Sequence, residues 1–140
     1  MTPRLADLIR RSHATLTALA ESENKLTLPQ FALLSCLKEH GDKTRSNLCT
    51  LTGIDRSTLC EMVNRLRSMG YIAETGERRI DQDGGRSASV LKITSDGRAA
   101  LNGAERKVWL AEKMMLDSLS PVERSKLLFA LGIIAYTKVA

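Results

Sequence analysis

The feature that most constrains this chain is an apolar pattern between positions 48 and 66, Leu48-x2-Leu51-x-Gly53-Ile54-x4-Leu59-x3-Val63-x2-Leu66. Steps of three and four residues are the helical period, and Gly53 interrupts them in the middle. Two short helices joined by so tight a turn pack only if Leu48, Leu51, Ile54, Leu59 and Val63 share one small core. This spacing predicts a helix-turn-helix whose second helix keeps its outer face free for a DNA major groove. On a helical wheel the stripe at Leu59, Val63 and Leu66 puts Ser57, Thr58, Glu61, Asn64, Arg65 and Ser68 outside. Such side chains read base edges or bind phosphates, although an ordinary solvated helix face has the same composition. Arg56 at the start of this helix joins the candidate DNA-binding residues, with Thr44, Arg45 and Ser46 at the start of the helix before it.

Gly70 stops the second helix, and two strands are expected next, Tyr71–Glu77 and Ser89–Thr94, with a polar tip at residues 78–86. A basic hairpin directly after a helix-turn-helix is a wing, which lies along the minor groove or the sugar-phosphate backbone. Arg78, Arg79 and Arg86 are its expected contacts. Asp81 and Asp83 would be repulsive there unless they orient neighbouring arginines.

The flanks read as helices. Leu5, Leu8, Ile9, Leu16 and Leu19 mark an amphipathic helix from about Pro3 to Glu21. Thr27-Leu28-Pro29-Gln30 is a capping box that starts another, ending at His40-Gly41. A long helix is expected from Ser95 to Asp117, and a last one over 121–138, announced by Ser120-Pro121-Val122-Glu123. The fold class is therefore mostly α with a small β-hairpin (α+β). It consists of a winged helix-turn-helix over 27–94 and a helical dimerisation region over 1–26 and 95–140. The terminal helices carry more apolar surface than the winged unit needs, notably Leu116, Leu119, Leu127, Leu128, Leu131, Ile133 and Ile134. A two-fold homodimer is expected, and with it a palindromic operator on double-stranded DNA.

Charge supports a polyanionic partner. Of the 21 Lys and Arg, ten fall within 43–98 against seven acids, whereas residues 1–42 carry five of each. Most of the ten are Arg, suited to bidentate contacts with phosphate and guanine. Aromatics at 4% argue against a stacking platform for single strands. Cys36, Cys49 and Cys60 form no CxxC, and His13 and His40 lie far from them, so neither a metal site nor a cofactor is expected. No phosphate-cradling glycine loop, nucleophile elbow or motif-placed pair of carboxylates supports an enzyme. No apolar run approaches a membrane span, and Asp7 falls where a signal peptide would stay apolar, so a cytoplasmic protein is expected.

Six blocks in order then carry a resemblance: Leu26-Thr27-x2-Gln30-Phe31-x2-Leu34, the stretch Leu48–Leu66, Gly70-Tyr71-Ile72, Asp83-x2-Arg86, Ile93-Thr94-x2-Gly97 and Leu119-Ser120-Pro121-x-Glu123. Together they resemble the multiple-antibiotic-resistance regulator (MarR) family across about residues 5–138. The resemblance implies a homodimeric winged-helix regulator, often a repressor released by a small phenolic or lipophilic ligand or by thiol oxidation. It implies too that the first and last two helices make the dimer interface. By position, Ser57, Thr58, Asn64 and Arg65 fall on the recognition helix, and Asp83 and Arg86 on the wing. The chain departs from the family pattern in having Asn64 and Asn47 where an acid is usual, and one extra wing glycine. Small aromatic or lipophilic effectors are expected in a cleft between the dimer helices and the winged unit, with His13 as a candidate lining residue. Cys60, beside the DNA face, is the candidate redox switch. Two alternatives stand: a thiol-sensing regulator, and a winged-helix module that binds protein as an antirepressor or scaffold.

Overall fold

A computed structural model describes residues 4–21, 25–80 and 85–137. The elements run α1 (Leu5–Glu21), α2 (Leu28–His40), β1 (Lys43–Thr44), α3 (Arg45–Thr52), α4 (Arg56–Ser68), β2 (Ile72–Ile80), β3 (Ser87–Ile93), α5 (Ser95–Leu116) and α6 (Pro121–Ala135). Six helices and a three-stranded antiparallel sheet of order β1-β3-β2 make the predicted mixed fold.

The helix starts obey the sequence signals. Thr27 and Gln30 form the reciprocal capping box of α2, with backbone N–H to side-chain oxygen distances of 3.0 and 3.2 Å. Ser120 and Glu123 do the same for α6. Arg124 Nε donates to the Leu116 and Leu119 carbonyls at 2.9 and 3.2 Å, so the turn from α5 into α6 is held by one guanidinium.

The main core gathers Leu33, Leu34 and Leu37 of α2 with Leu48, Leu59, Val63, Leu66, Ile72, Leu91 and Ile93, closed by Leu101 and Ala104 of α5. A smaller cluster, Ala20, Val108 and Ala111 with Leu16, Leu19, Leu28 and Phe31 against it, joins α1 to the second half of α5. α5 thus packs on the winged helices with its first half and on α1 with its second. α6 contrasts with all of them: none of its residues is buried, and it touches the rest of the chain only sparsely.

Four expectations need correction. The strands do not end at Glu77 or begin at Ser89. They pair out to Arg78↔Ser89, Arg79↔Ala88 and Ile80↔Ser87, so both arginines sit in the ladder rather than in the tip. The two-residue β1 was not foreseen, because Lys43-Thr44 is too short to show alternation. Leu51 is 45% exposed and outside the shared core. On α3 the buried residues are Ser46 and Leu48, with Cys49 packed against the core, and Leu51 is rotated about 60° from Leu48. The terminal helices are also shorter at their ends than expected, α1 starting at Leu5 and α6 ending at Ala135.

Candidate nucleic-acid interface

Each helix of the central pair is fixed at its start and at the turn between them. Thr44 Oγ1 accepts from the Asn47 N–H at 3.3 Å and donates to Asn47 Oδ1 at 2.5 Å, capping α3. Thr52 Oγ1 donates to the Leu48 carbonyl at 2.6 Å and accepts from the Ile54 N–H at 3.2 Å. Between them Gly53 adopts φ +73°, a left-handed conformation that a β-carbon would strain. Asp55 then caps α4. Its Oδ2 accepts from the Thr58 N–H at 3.1 Å and the Ser57 hydroxyl at 3.2 Å. These hydrogen bonds, led by Thr58, hold the exposed carboxyl below the usual carboxylate range.

α4 buries Leu59, Val63 and Leu66 completely and exposes Arg56, Ser57, Thr58, Glu61, Asn64, Arg65 and Ser68. The side chains of Asn64 and Arg65, neighbours on that outer face, make no hydrogen bond or ion pair to another described residue. Arg67 instead turns towards the sheet, 3.4 Å from Glu74. Within α4, Arg56, Arg65 and Arg67 stand against Glu61, so the helix is net +2. The face is therefore polar, cationic and unobstructed, the condition for groove docking.

The other sequence candidates divide. Thr44 and Ser46 are buried, 1% and 8% exposed, and Thr44 is committed to its cap; they lie inside the turn and offer no side chain to a partner. Arg45 is half-buried. On the hairpin, Arg78 lies across to β3, donating to Ser87 Oγ at 2.7 Å, the Ser87 carbonyl at 2.8 Å and Ser89 Oγ at 3.3 Å. Arg79 pairs with Glu77 at 3.2 Å and donates to the Asp42 carbonyl at 2.9 Å. Arg86 is exposed and bonds no described residue. Asp81 and Asp83 lie outside the described residues.

The joint between the hairpin and α5 was foreseen only as a strand and then a helix. Thr94 Oγ1 donates to the Gly70 carbonyl at 2.5 Å, its N–H donates to the Tyr71 carbonyl at 3.0 Å, and the same Oγ1 accepts from the Gly97 N–H. One threonine thus ties the end of the helix-turn-helix to the start of α5. Beside it, Lys25, Leu26, Tyr71, Asp96, Ala100 and Lys107 border a cleft of about 440 Å³. His13 is exposed on α1 and does not line this cleft. Cys60 is half-buried at the edge of the α4 stripe, whereas Cys36 is buried and burial pushes its thiol up, against the opposing effect of Lys43. No disulfide joins the three cysteines. Among the described residues no cluster could hold a metal ion, and no helix is long and apolar enough to cross a membrane.

Residues 26–81, from just before α2 through α4 into the hairpin, match the model of the MarR family. The whole chain is similar to the HTH-type transcriptional repressor NicR of Pseudomonas putida, 24% identical over 135 residues that cover 94% of this chain and 82% of that protein. In structure it is similar to Bordetella bronchiseptica BpsR, whose DNA binding is regulated by 6-hydroxynicotinic acid. The TM-score is 0.81 at 22% identity, over 96% of this chain and 95% of that one. A probable transcriptional regulator from Pseudomonas aeruginosa superposes with a TM-score of 0.79 at 28% identity, covering 94% and 96%. The MarR-family match spans the helix-turn-helix, and the structural likeness extends the same fold through α1, α5 and α6. NicR is a transcriptional repressor by name, and the Pseudomonas aeruginosa protein a probable transcriptional regulator.

Proposed function

We propose that the chain is a sequence-specific regulator of transcription that binds double-stranded DNA as a homodimer and represses until a small effector releases it. The reading rests on one observation: α4 carries a fully buried apolar stripe on one side and, on the other, an exposed cationic face on which Asn64 and Arg65 have no described partner. A helix held so firmly on a glycine turn is a rigid reader, and base contacts need that rigidity. Among the expected contacts, Arg56, Ser57, Thr58, Glu61, Asn64 and Arg65 form the helix surface, and Arg86 the wing. Residues 27–94 then serve as the DNA-binding unit and 1–26 with 95–140 as the assembly region, in a cytoplasmic, non-enzymatic protein.

Dimerisation is argued from α6. Val122, Leu128, Phe129, Ile133 and Ile134 are all at least half exposed, as are Leu5 of α1 and Trp109 and Met114 of α5. An apolar surface of that extent is stable in water only when covered, and a second copy supplies the matching surface. The effector class is argued from the cleft beside Tyr71: apolar walls from Leu26 and Ala100, with Lys25 and Lys107 at its border, suit a small aromatic acid. Support comes also from BpsR, a protein of the same fold that responds to such an acid.

The test is selection of duplexes from random-sequence DNA, and then titration of the winning sequence and a scrambled control across a range of salt. A palindrome bound at least about a thousandfold more tightly than the control is expected. Equal affinity for both would remove the sequence-specific reading. No binding of either would leave the protein-interaction module.

A further inference from the structure

Beyond the Glu74↔Leu91 pair the ladder of β2 and β3 is interrupted, and pairing resumes at Arg78↔Ser89. The break falls at Gly76, whose φ is +85°. Past it the hairpin is a two-stranded ribbon, residues 78–80 against 87–89, with β1 no longer alongside. Ile80 and Ser87 at its far end are exposed, so no core covers either face there. A ribbon of this kind is marginal by itself in water, and its direction relative to the helices has to be held by something else.

Side chains on the two faces of the ribbon differ in what they hold. Arg78 and Ile80 share one face, and the Arg78 guanidinium braces the ribbon internally through Ser87 and Ser89. Arg79 is on the opposite face. Its Nη1 reaches 37 residues back to donate to the Asp42 carbonyl at 2.9 Å, while its Nε stays on Glu77 at 3.2 Å. Asp42 lies between Gly41, which ends α2, and Lys43, which starts β1, so this carbonyl belongs to the backbone of the winged core. A planar guanidinium can hold two such acceptors at once in a fixed relation.

We propose that Arg79 is a positioning residue: it ties the outer half of the wing to the α2–β1 turn, sets the wing's angle before DNA arrives, and does not itself bind phosphate. This rests on the DNA-binding reading only for its consequence, since the tie exists in the free protein. It assigns the two wing arginines of the ladder to structure and leaves the phosphate to Arg86.

The experiment compares the wild type with Arg79→Ala and Arg79→Lys, all as full-length chains. Hydrogen exchange of the amides of residues 77–80 and 87–89, measured without DNA, reads the tie directly. Affinity for the selected duplex across a range of salt reads the consequence. Both variants are expected to exchange about tenfold faster in the ribbon, while amides of α4 and α5 are unchanged. Both should bind the duplex roughly tenfold more weakly with the salt slope unaltered, because lysine keeps the charge but not the fork. Unchanged exchange in Arg79→Ala overturns the tie. A slope lowered by about one per wing in Arg79→Ala, with Arg79→Lys binding as the wild type, makes Arg79 a phosphate contact and overturns the proposal as well. If the wild type binds no duplex, the DNA-binding reading fails, and the exchange measurement still decides whether Arg79 holds the wing.

Discussion

Gly97 stands directly against the backbone of Tyr71: a β-carbon on Gly97 would lie 2.3 Å from the Tyr71 carbonyl oxygen and 2.9 Å from Ile93 Cγ1. The nearest obstacle is main chain, already accepting a hydrogen bond from the Thr94 N–H, and it cannot rotate aside.

Gly97→Ala is therefore expected to lower stability by about 2–3 kcal/mol, the scale of overpacking that moves backbone. Gly103, in the same helix, has nothing within 4 Å of where its β-carbon would be. Gly103→Ala should be neutral or stabilise by up to about 1 kcal/mol, through helix propensity alone. Urea unfolding of the two variants checks this. Equal midpoints would show that the close approach at Tyr71 carries no energy.

Stability should depend on pH through Asp55. Its carboxyl is held below the ordinary value by the Thr58 and Ser57 hydrogen bonds, so the folded state favours the ionised form. The contribution is present above the unfolded pKa of about 4 and disappears as pH falls through the lower folded value. Asparagine at this position caps without titrating. The stability difference between wild type and Asp55→Asn, tracked by acid titration, should favour the wild type near neutrality and shrink below about pH 4. A pH-independent difference would mean that the cap is indifferent to its charge.

Phe129 is 74% exposed in the middle of α6, where the proposed partner helix would cover it. The wild type should sediment at twice the 15.4 kDa chain mass at micromolar concentration. Phe129→Asp puts a charge into that interface and should shift the protein to monomer, with DNA affinity lost in parallel. A variant that remains dimeric would place the interface elsewhere.

Reading and holding should separate on the DNA surface. Asn64→Ala is expected to cost about 1–3 kcal/mol per half-site on the selected duplex and little on a scrambled one. Arg86→Ala should weaken both duplexes alike and reduce the salt slope by about one per wing. Salt titrations of both variants on both duplexes provide the four slopes. Loss of specificity in Arg86→Ala with its slope intact would make the wing a reader.

The helix-turn-helix was legible because every element of it is local. Gly53 needs a left-handed φ, Asp55 caps α4, and Leu59, Val63 and Leu66 repeat at the helical period. Thr44 stands at a helix start, as expected, but its side chain is buried in the cap of α3 rather than presented outward. A residue that caps a helix facing the core is drawn inward with it, and sequence position alone does not distinguish that from a cap at the surface. Leu51 failed for a related reason: an eight-residue helix has room for few inward positions, and Ser46, Leu48 and Cys49 occupy them. The fates of Arg78 and Arg79 were not legible at all. Their acceptors are Ser87, Ser89 and a carbonyl 37 residues away, and the register that brings these together depends on an interruption at Gly76 that alternation does not reveal.

The tie from Thr94 to Gly70 and Tyr71 turns α5 into a handle. The helix is 22 residues long, about 33 Å, and grips the winged head through its first half only. A tilt of about 10° about its far end would carry that head roughly 6 Å sideways, more than the rise of one base pair, with no loop having to change shape. Whatever wedges the cleft beside Tyr71 acts next to the grip. In the proposed dimer, a ligand there would need few contacts of its own to throw the two heads out of step with the turns of a duplex.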